Sequence, residues 1–302
     1  NKWGGKYLRA PDILVRILDT QCKKKLKDFA QIRYGLKTGA EKFFYITNAE
    51  VDLKVEKRFL APLFQSPKES ESVRINKSLL ENMIIYTDEP KDELKGTKLY
   101  KYIKKAEDEG IHQRPSVRGN KPWYSLKNRL PYLIACQRLV NDRYVFFWNP
   151  DRLVIDDSFS ELEPFNKISA KFFCLYLNSS FCLLMIELFG TLGLGQGALF
   201  IPTNTLQNLP CIDFYQIPPK QIDKAISVFD AFSSRKIYPL FTELGINPNL
   251  PIRNQSPNPL PDRKALDDII FGILDLTEDE RREVYWAVCE LVKNRLEKAR
   301  SV

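Results

Sequence analysis

Histidine is almost missing from this chain: His112 is the single one among 302 residues. That scarcity excludes several chemistries. A Ser or Cys nucleophile needs a base within hydrogen-bond reach, and one histidine does not assemble a convincing set. A zinc site needs clustered nitrogen and sulfur ligands, yet Cys22, Cys136, Cys174, Cys182, Cys211 and Cys289 are widely spaced and form no Cys-x-x-Cys pair. Most of these cysteines stand in apolar runs and read as reduced core residues of a cytoplasmic protein. No P-loop lysine follows a glycine loop. Gly193-Leu194-Gly195-Gln196-Gly197 follows a helical run, whereas a dinucleotide fingerprint follows a strand, so a tight helix-to-strand turn is the better reading. No signal peptide opens the chain. The longest apolar run, Phe172 to Phe189, is interrupted by Asn178-Ser179-Ser180 and Glu187, which predicts one buried helix and no membrane span. The first residue is Asn1, as expected of a piece of a longer protein.

What is present begins with charge. The net charge is +8, but it is unevenly held. Residues 1–46 carry eleven basic and four acidic side chains, and residues 91–130 carry eleven and five, so the rest of the chain sums to −5. Basic charge confined to two segments points to a face for a phosphate backbone or another anionic surface.

Ile32 to Ile46, IRYGLKTGAEKFFYI, joins strand-like residues, Gly35 and Gly39, and the cations Arg33, Lys37 and Lys42. It predicts a hairpin: a strand, a tight basic loop and a second strand over Phe43 to Ile46. Such a loop could meet a polyanion, or be a surface hairpin with solvated lysines. Elsewhere the periodicity predicts a helix in Lys91–Gly110, an irregular loop over Ile111–Leu130, and an edge strand in SVRIN. It predicts a hairpin in Pro131–Pro150 turning at Asn141-Asp142, and helices from Pro219 to Leu244 and after Asp262. Thr277 with Glu280 forms a capping box. The fold class expected is α+β, a mixed or mostly antiparallel twisted sheet with packed helices and a helical C-terminal module. The divisions expected are 1–245, a five-proline linker at 246–261, and the helical module 262–302.

The second basic segment interleaves Arg114, Arg118, Lys121, Lys127 and Arg129 with His112, Trp123 and Tyr124. Cations for phosphates beside flat side chains that stack on bases make a nucleic-acid signature. Arg118 next to Gly119 is suited to bidentate reading of guanine. The same Trp123 and Tyr124 also fit a loop packed on the sheet. Asp156-Asp157 is a weak metal-nuclease signal, because adjacent strand residues face opposite ways and no third acid stands at usable spacing.

Together KYLRAPD, RYGLKTGAEKFFYI, FLAPLFQSPKES, RPSVRGNKPWYSL, LNSSF, GLGQGALFIPTNTLQNLP and RREVYWAVCELVKNRLEKAR cover nearly the whole chain in one order. In that order the chain resembles the C-terminal target-recognition region of N6-adenine DNA methyltransferases of restriction-modification systems, type IIG or type I specificity-like. The resemblance implies sequence-specific double-stranded DNA as a partner. It implies a contact set of Arg33, Lys37, Thr38, Lys42, Arg114, Arg118, Lys121, Trp123, Tyr124 and Gln196. It also implies S-adenosylmethionine in a catalytic domain outside this chain, in cis or as a separate subunit. The family's Asn/Asp-Pro-Pro-Tyr/Phe motif has no counterpart here, the one Pro-Pro pair being Pro218-Pro219. No catalytic residue and no metal ligand is therefore expected, and the chain is not expected to be an enzyme on its own. Two alternatives stay open: a type I-like specificity subunit recruiting catalytic chains, and a metal-dependent restriction endonuclease using Asp156 or Asp157.

Overall fold

Ala30 and Ile32 are buried while Gln31 and Tyr34 are exposed, the alternation of a strand with one face on a core. In the computed structural model, which describes residues 12–126, 129–192 and 197–300, this strand, Ala30–Tyr34, edges a four-stranded sheet. The order continues through Phe159–Pro164, Ile134–Gln137 and Phe146–Trp148, every pair antiparallel. Leu162 stands between Ile32 and Ile134, so one apolar row crosses three strands. The hairpin expected in Pro131–Pro150 is present as the antiparallel pair Ile134–Gln137 with Phe146–Trp148. Leu139–Val140 leaves it to pair with Leu199–Phe200.

The apolar run expected as one helix is two, Ala170–Leu177 and Ser180–Phe189, bent by 61°. Asn178 causes the break: its side chain accepts from Phe146 N at 3.1 Å and donates to Phe146 O at 2.9 Å. Ser179 then caps the second helix through Cys182 N. Among the described residues no single helix is long and apolar enough to cross a membrane. The helix expected from Pro219 to Leu244 also splits, into Pro219–Ser234 and Leu240–Leu244, with Arg235 bonding Glu243 and Asp262 across the gap. Two helices close the chain, Pro261–Ile273 and Glu278–Arg300. Thr277 and Glu280 form the anticipated reciprocal cap, with Thr277 N to Glu280 Oε2 at 2.8 Å and Glu280 N to Thr277 Oγ1 at 3.4 Å. Between them and the preceding helices the proline-rich segment is packed: Ile246 and Ile252 are buried, and Gln255 O accepts from Trp286 Nε1 at 2.8 Å. The sheet and these helices share one apolar cluster.

A second, smaller core lies around Phe43, Phe44, Ile84, Leu99, Ile103, Val117 and Tyr124. Its sheet runs Tyr45–Thr47, Asn82–Ile85, Leu60–Phe64, Val154–Ile155, with the last pair parallel. SVRIN forms only isolated bridges through Ser72 and Arg74. The helix Lys98–Asp108 buries Leu99, Ile103 and Ala106 here and leaves Lys101, Lys104 and Lys105 in solvent. Thr97 caps it, and the Glu56 carboxylate accepts from Lys98 N at 2.6 Å and Leu99 N at 3.1 Å. The class is α+β with mostly antiparallel sheets and C-terminal helices, as the sequence implied.

Candidate nucleic-acid interface

Ile32 to Ile46 is not a hairpin. Its first strand pairs with Phe159–Pro164, and its last residues join a different sheet, so the stretch carries the chain from one core to the other. Phe43 and Phe44 lie in a short helix, Glu41–Phe44, and the strand begins only at Tyr45. The two glycines serve close approach. A Cβ on Gly35 would stand 1.9 Å from the Asp156 carbonyl oxygen. Gly39 has φ +70°, and a Cβ there would stand 2.6 Å from Ser116 Cβ. Asp156 is itself committed, accepting from the Tyr45 hydroxyl and from Ser158 N. Burial, reinforced by that carboxylate, pushes the Tyr45 hydroxyl pKa up. Among the described residues no three His, Cys, Asp or Glu side chains are grouped to hold a metal ion.

At Gly39 the first basic segment meets the second. Ser116 Oγ donates to Gly39 O at 2.7 Å, linking residues 77 apart in the chain. Below that contact Phe43 stacks on Tyr102, with ring centroids 5.1 Å apart, and packs on Trp123 at 4.6 Å. Trp123 donates Nε1 to Glu107 at 3.1 Å, and Lys91 bonds the other oxygen. Burial works to raise the Glu107 pKa, but the bonds from Lys91 and Trp123 outweigh it and lower it. Lys37 stands exposed on one loop and Lys42 on the short helix that follows it, and Arg114, Arg118 and Lys121 stand exposed on the other loop. Among the described residues none of these five cations has an ion-pair partner. Carried on backbone fixed by two cores, they form a positively charged surface suited to a polyanion.

The remaining members of the anticipated set fare differently. Thr38 is 3% exposed and accepts from Ala40 N, and Tyr124 is 1% exposed with its hydroxyl on Glu89 O at 2.8 Å. Both are interior residues and leave the contact set, since neither offers atoms to an outside ligand. Trp123 is half-buried and held at its indole nitrogen, so packing claims it first. Arg33 reaches Glu161 Oε2 at 3.1 Å and lies over the Tyr132 ring at 3.6 Å. Arg129 reaches the same oxygen at 2.6 Å and donates to Gly35 O at 3.1 Å. One buried carboxylate thus ties Arg33 of the first basic segment to Arg129 of the second. Gln196 lies outside the described residues. Sequence reasoning missed Ser116 and Glu161; only the matching of a small polar residue to Gly39, and of a strand glutamate to two distant arginines, could have signalled them.

A family model described as the type II methyltransferase M.Eco57I, C-terminal domain, matches residues 1–231. The chain belongs to that family. Among solved structures, the type IIG restriction endonuclease BpuSI superposes with a TM-score of 0.63 at 13% identity, over 95% of this chain and 33% of its own. The type IIL restriction-modification enzyme MmeI, solved in complex with DNA, superposes with a TM-score of 0.57 at 11% identity, over 93% of this chain and 37% of its own. At those identities the likeness is one of fold, and the chain spans about a third of each enzyme. A search of curated proteins returns no match. Membership makes this a C-terminal domain of restriction-modification methyltransferases, and the basic loops are read in that setting.

Proposed function

We propose that the chain is the target-recognition part of an N6-adenine-specific DNA methyltransferase and grips double-stranded DNA through the loops at residues 35–42 and 111–121. The observation that carries this reading is the joining of those loops by Ser116 and Gly39, with Lys37, Lys42, Arg114, Arg118 and Lys121 exposed and without an ion-pair partner among the described residues. Lys37 and Lys42 neutralise phosphates and set register. Arg118, on the irregular loop beside Gly119, is the base reader. Arg33 acts from the rim, its guanidinium partly exposed. S-adenosylmethionine and the methyl-transfer residues belong to a catalytic part supplied in cis or as a separate subunit. Residues 1–245 do the recognising, and the helices of 262–302, joined through 246–261, brace it. Family membership and the DNA complex of MmeI support the reading.

Fluorescence polarisation of a labelled duplex tests it. Binding should weaken steeply with salt, and the plot of log affinity against log salt should lose about 0.9 in slope for each phosphate-contacting lysine removed. No binding at low salt would refute the reading.

A further inference from the structure

Each cation-bearing loop has backbone hydrogen bonds of its own, besides the core that Ala40, Phe43 and Val117 share. The first is fastened at its root, by Gly35 N to Phe159 O at 2.9 Å and Leu36 N to Ile155 O at 2.7 Å. The second is fastened by its own turns, with Val117 N and Arg118 N both on Arg114 O at 3.0 Å and the Val117 side chain buried. Among the described residues one hydrogen bond runs directly between loops 35–42 and 111–121, from Ser116 Oγ to Gly39 O. Gly39 permits it twice over. Its φ of +70° is a backbone conformation that favours glycine, and the missing Cβ leaves the room that Ser116 Cβ, 2.6 Å from the Cβ position, needs. Neither residue carries charge, and Ser116 is exposed, so the contact adds neither field nor core.

We infer that the Ser116–Gly39 contact is a clasp that positions the two loops for site discrimination: without it the chain still grips DNA but chooses among sequences poorly. The inference rests on the DNA-recognition reading above. Flexible lysines reach phosphates over a range of loop spacings, whereas a bidentate arginine on a base edge tolerates little displacement. Ser116 and Gly39 are therefore positioning residues that act through Lys37 on one loop and Arg118 on the other.

The test compares the 302-residue chain with Ser116→Ala and Gly39→Ala. Duplexes are selected from a randomised pool, and affinities for the preferred and a random duplex are measured across a salt series. Ser116→Ala should lower the preferred-to-random ratio about tenfold, the weight of one base contact, with the salt slope unchanged. Gly39→Ala should lower it further. An unchanged ratio, or a slope reduced by about one as though a phosphate contact were lost, overturns the clasp alone. Failure of the unaltered chain to bind any duplex overturns the recognition reading as well. Hydrogen exchange gives a readout independent of DNA. In Ser116→Ala the amides of Ala40 and Phe43 should exchange faster together with that of Arg118, and loosening confined to residues 114–118 overturns the coupling.

Discussion

In the larger core Arg263 and Arg295 reach carboxylates that are as buried as they are. Arg263 Nε meets Glu243 at 3.1 Å, and Arg295 meets Glu187 at 2.8 Å while also donating to the Tyr144 hydroxyl and Asn141 O at 2.6 Å. On the smaller core Lys37, Lys42, Arg114, Arg118 and Lys121 are exposed and, among the described residues, have no ion-pair partner. Arg33 and Arg129, on the seam, share Glu161 and are intermediate. The same residue types thus do two jobs, and what decides between them is the group facing each one. A buried cation must be matched to be tolerated, while an unmatched cation survives only where water or an outside anion can meet it.

Breaking the matched side should cost the most. Glu187→Leu leaves Arg295 buried without its counter-charge and should lose about 3–5 kcal/mol in denaturant unfolding. A loss under about 1 kcal/mol would mean that the two sides of the comparison do not differ. Gly35→Ala, which drives a methyl into the Asp156 carbonyl at the seam, should lose about 1–3 kcal/mol and separate the two cores' unfolding transitions.

A finer probe is Asp267, wholly buried, accepting from Ser180 N at 2.7 Å and Ser180 Oγ at 2.6 Å. Burial pushes its pKa up to about 6, against the opposing pull of Arg263 and Ser180. Between about pH 4 and 6 the folded chain holds a proton that the unfolded chain has released, so this group's contribution to stability falls as pH rises through that window. Asp267→Asn should flatten that part of the stability profile, as followed by urea unfolding at stepped pH.

On the unmatched side, Arg118→Ala or Lys37→Ala should change stability by no more than about 0.5 kcal/mol. Their effect belongs in DNA binding. Arg118→Ala should reduce discrimination among sites, whereas Lys24→Ala, in the exposed run Lys23-Lys24-Lys25 of the first basic segment, should weaken cognate and random duplexes alike. Equal effects of both substitutions on both duplexes would erase the distinction.

Much of the molecule was legible beforehand. The Thr277 and Glu280 cap, the turn after Val140 and the basic loop before Trp123 are local events, set by residues a few positions apart. The errors share one cause. Ile32–Ile46 shows strand character at both ends, but period-two alternation does not name a partner. Here the partners are Phe159–Pro164 and Asn82–Ile85, distant in sequence and in different sheets. Likewise the Phe172–Phe189 run is apolar on both sides of Asn178-Ser179-Ser180, and its bend depends on Asn178 finding Phe146 in a strand 32 residues away.

The sequence by itself determined the α+β class, the two basic segments and the helical close of the chain, because composition and short-range periodicity act on each segment alone. Only the tertiary structure decided which cations are free. That choice depends on whether a carboxylate such as Glu161 or Glu187, far along the chain, folds back within hydrogen-bond reach, and on whether Gly39 lets Ser116 come close enough to join the loops.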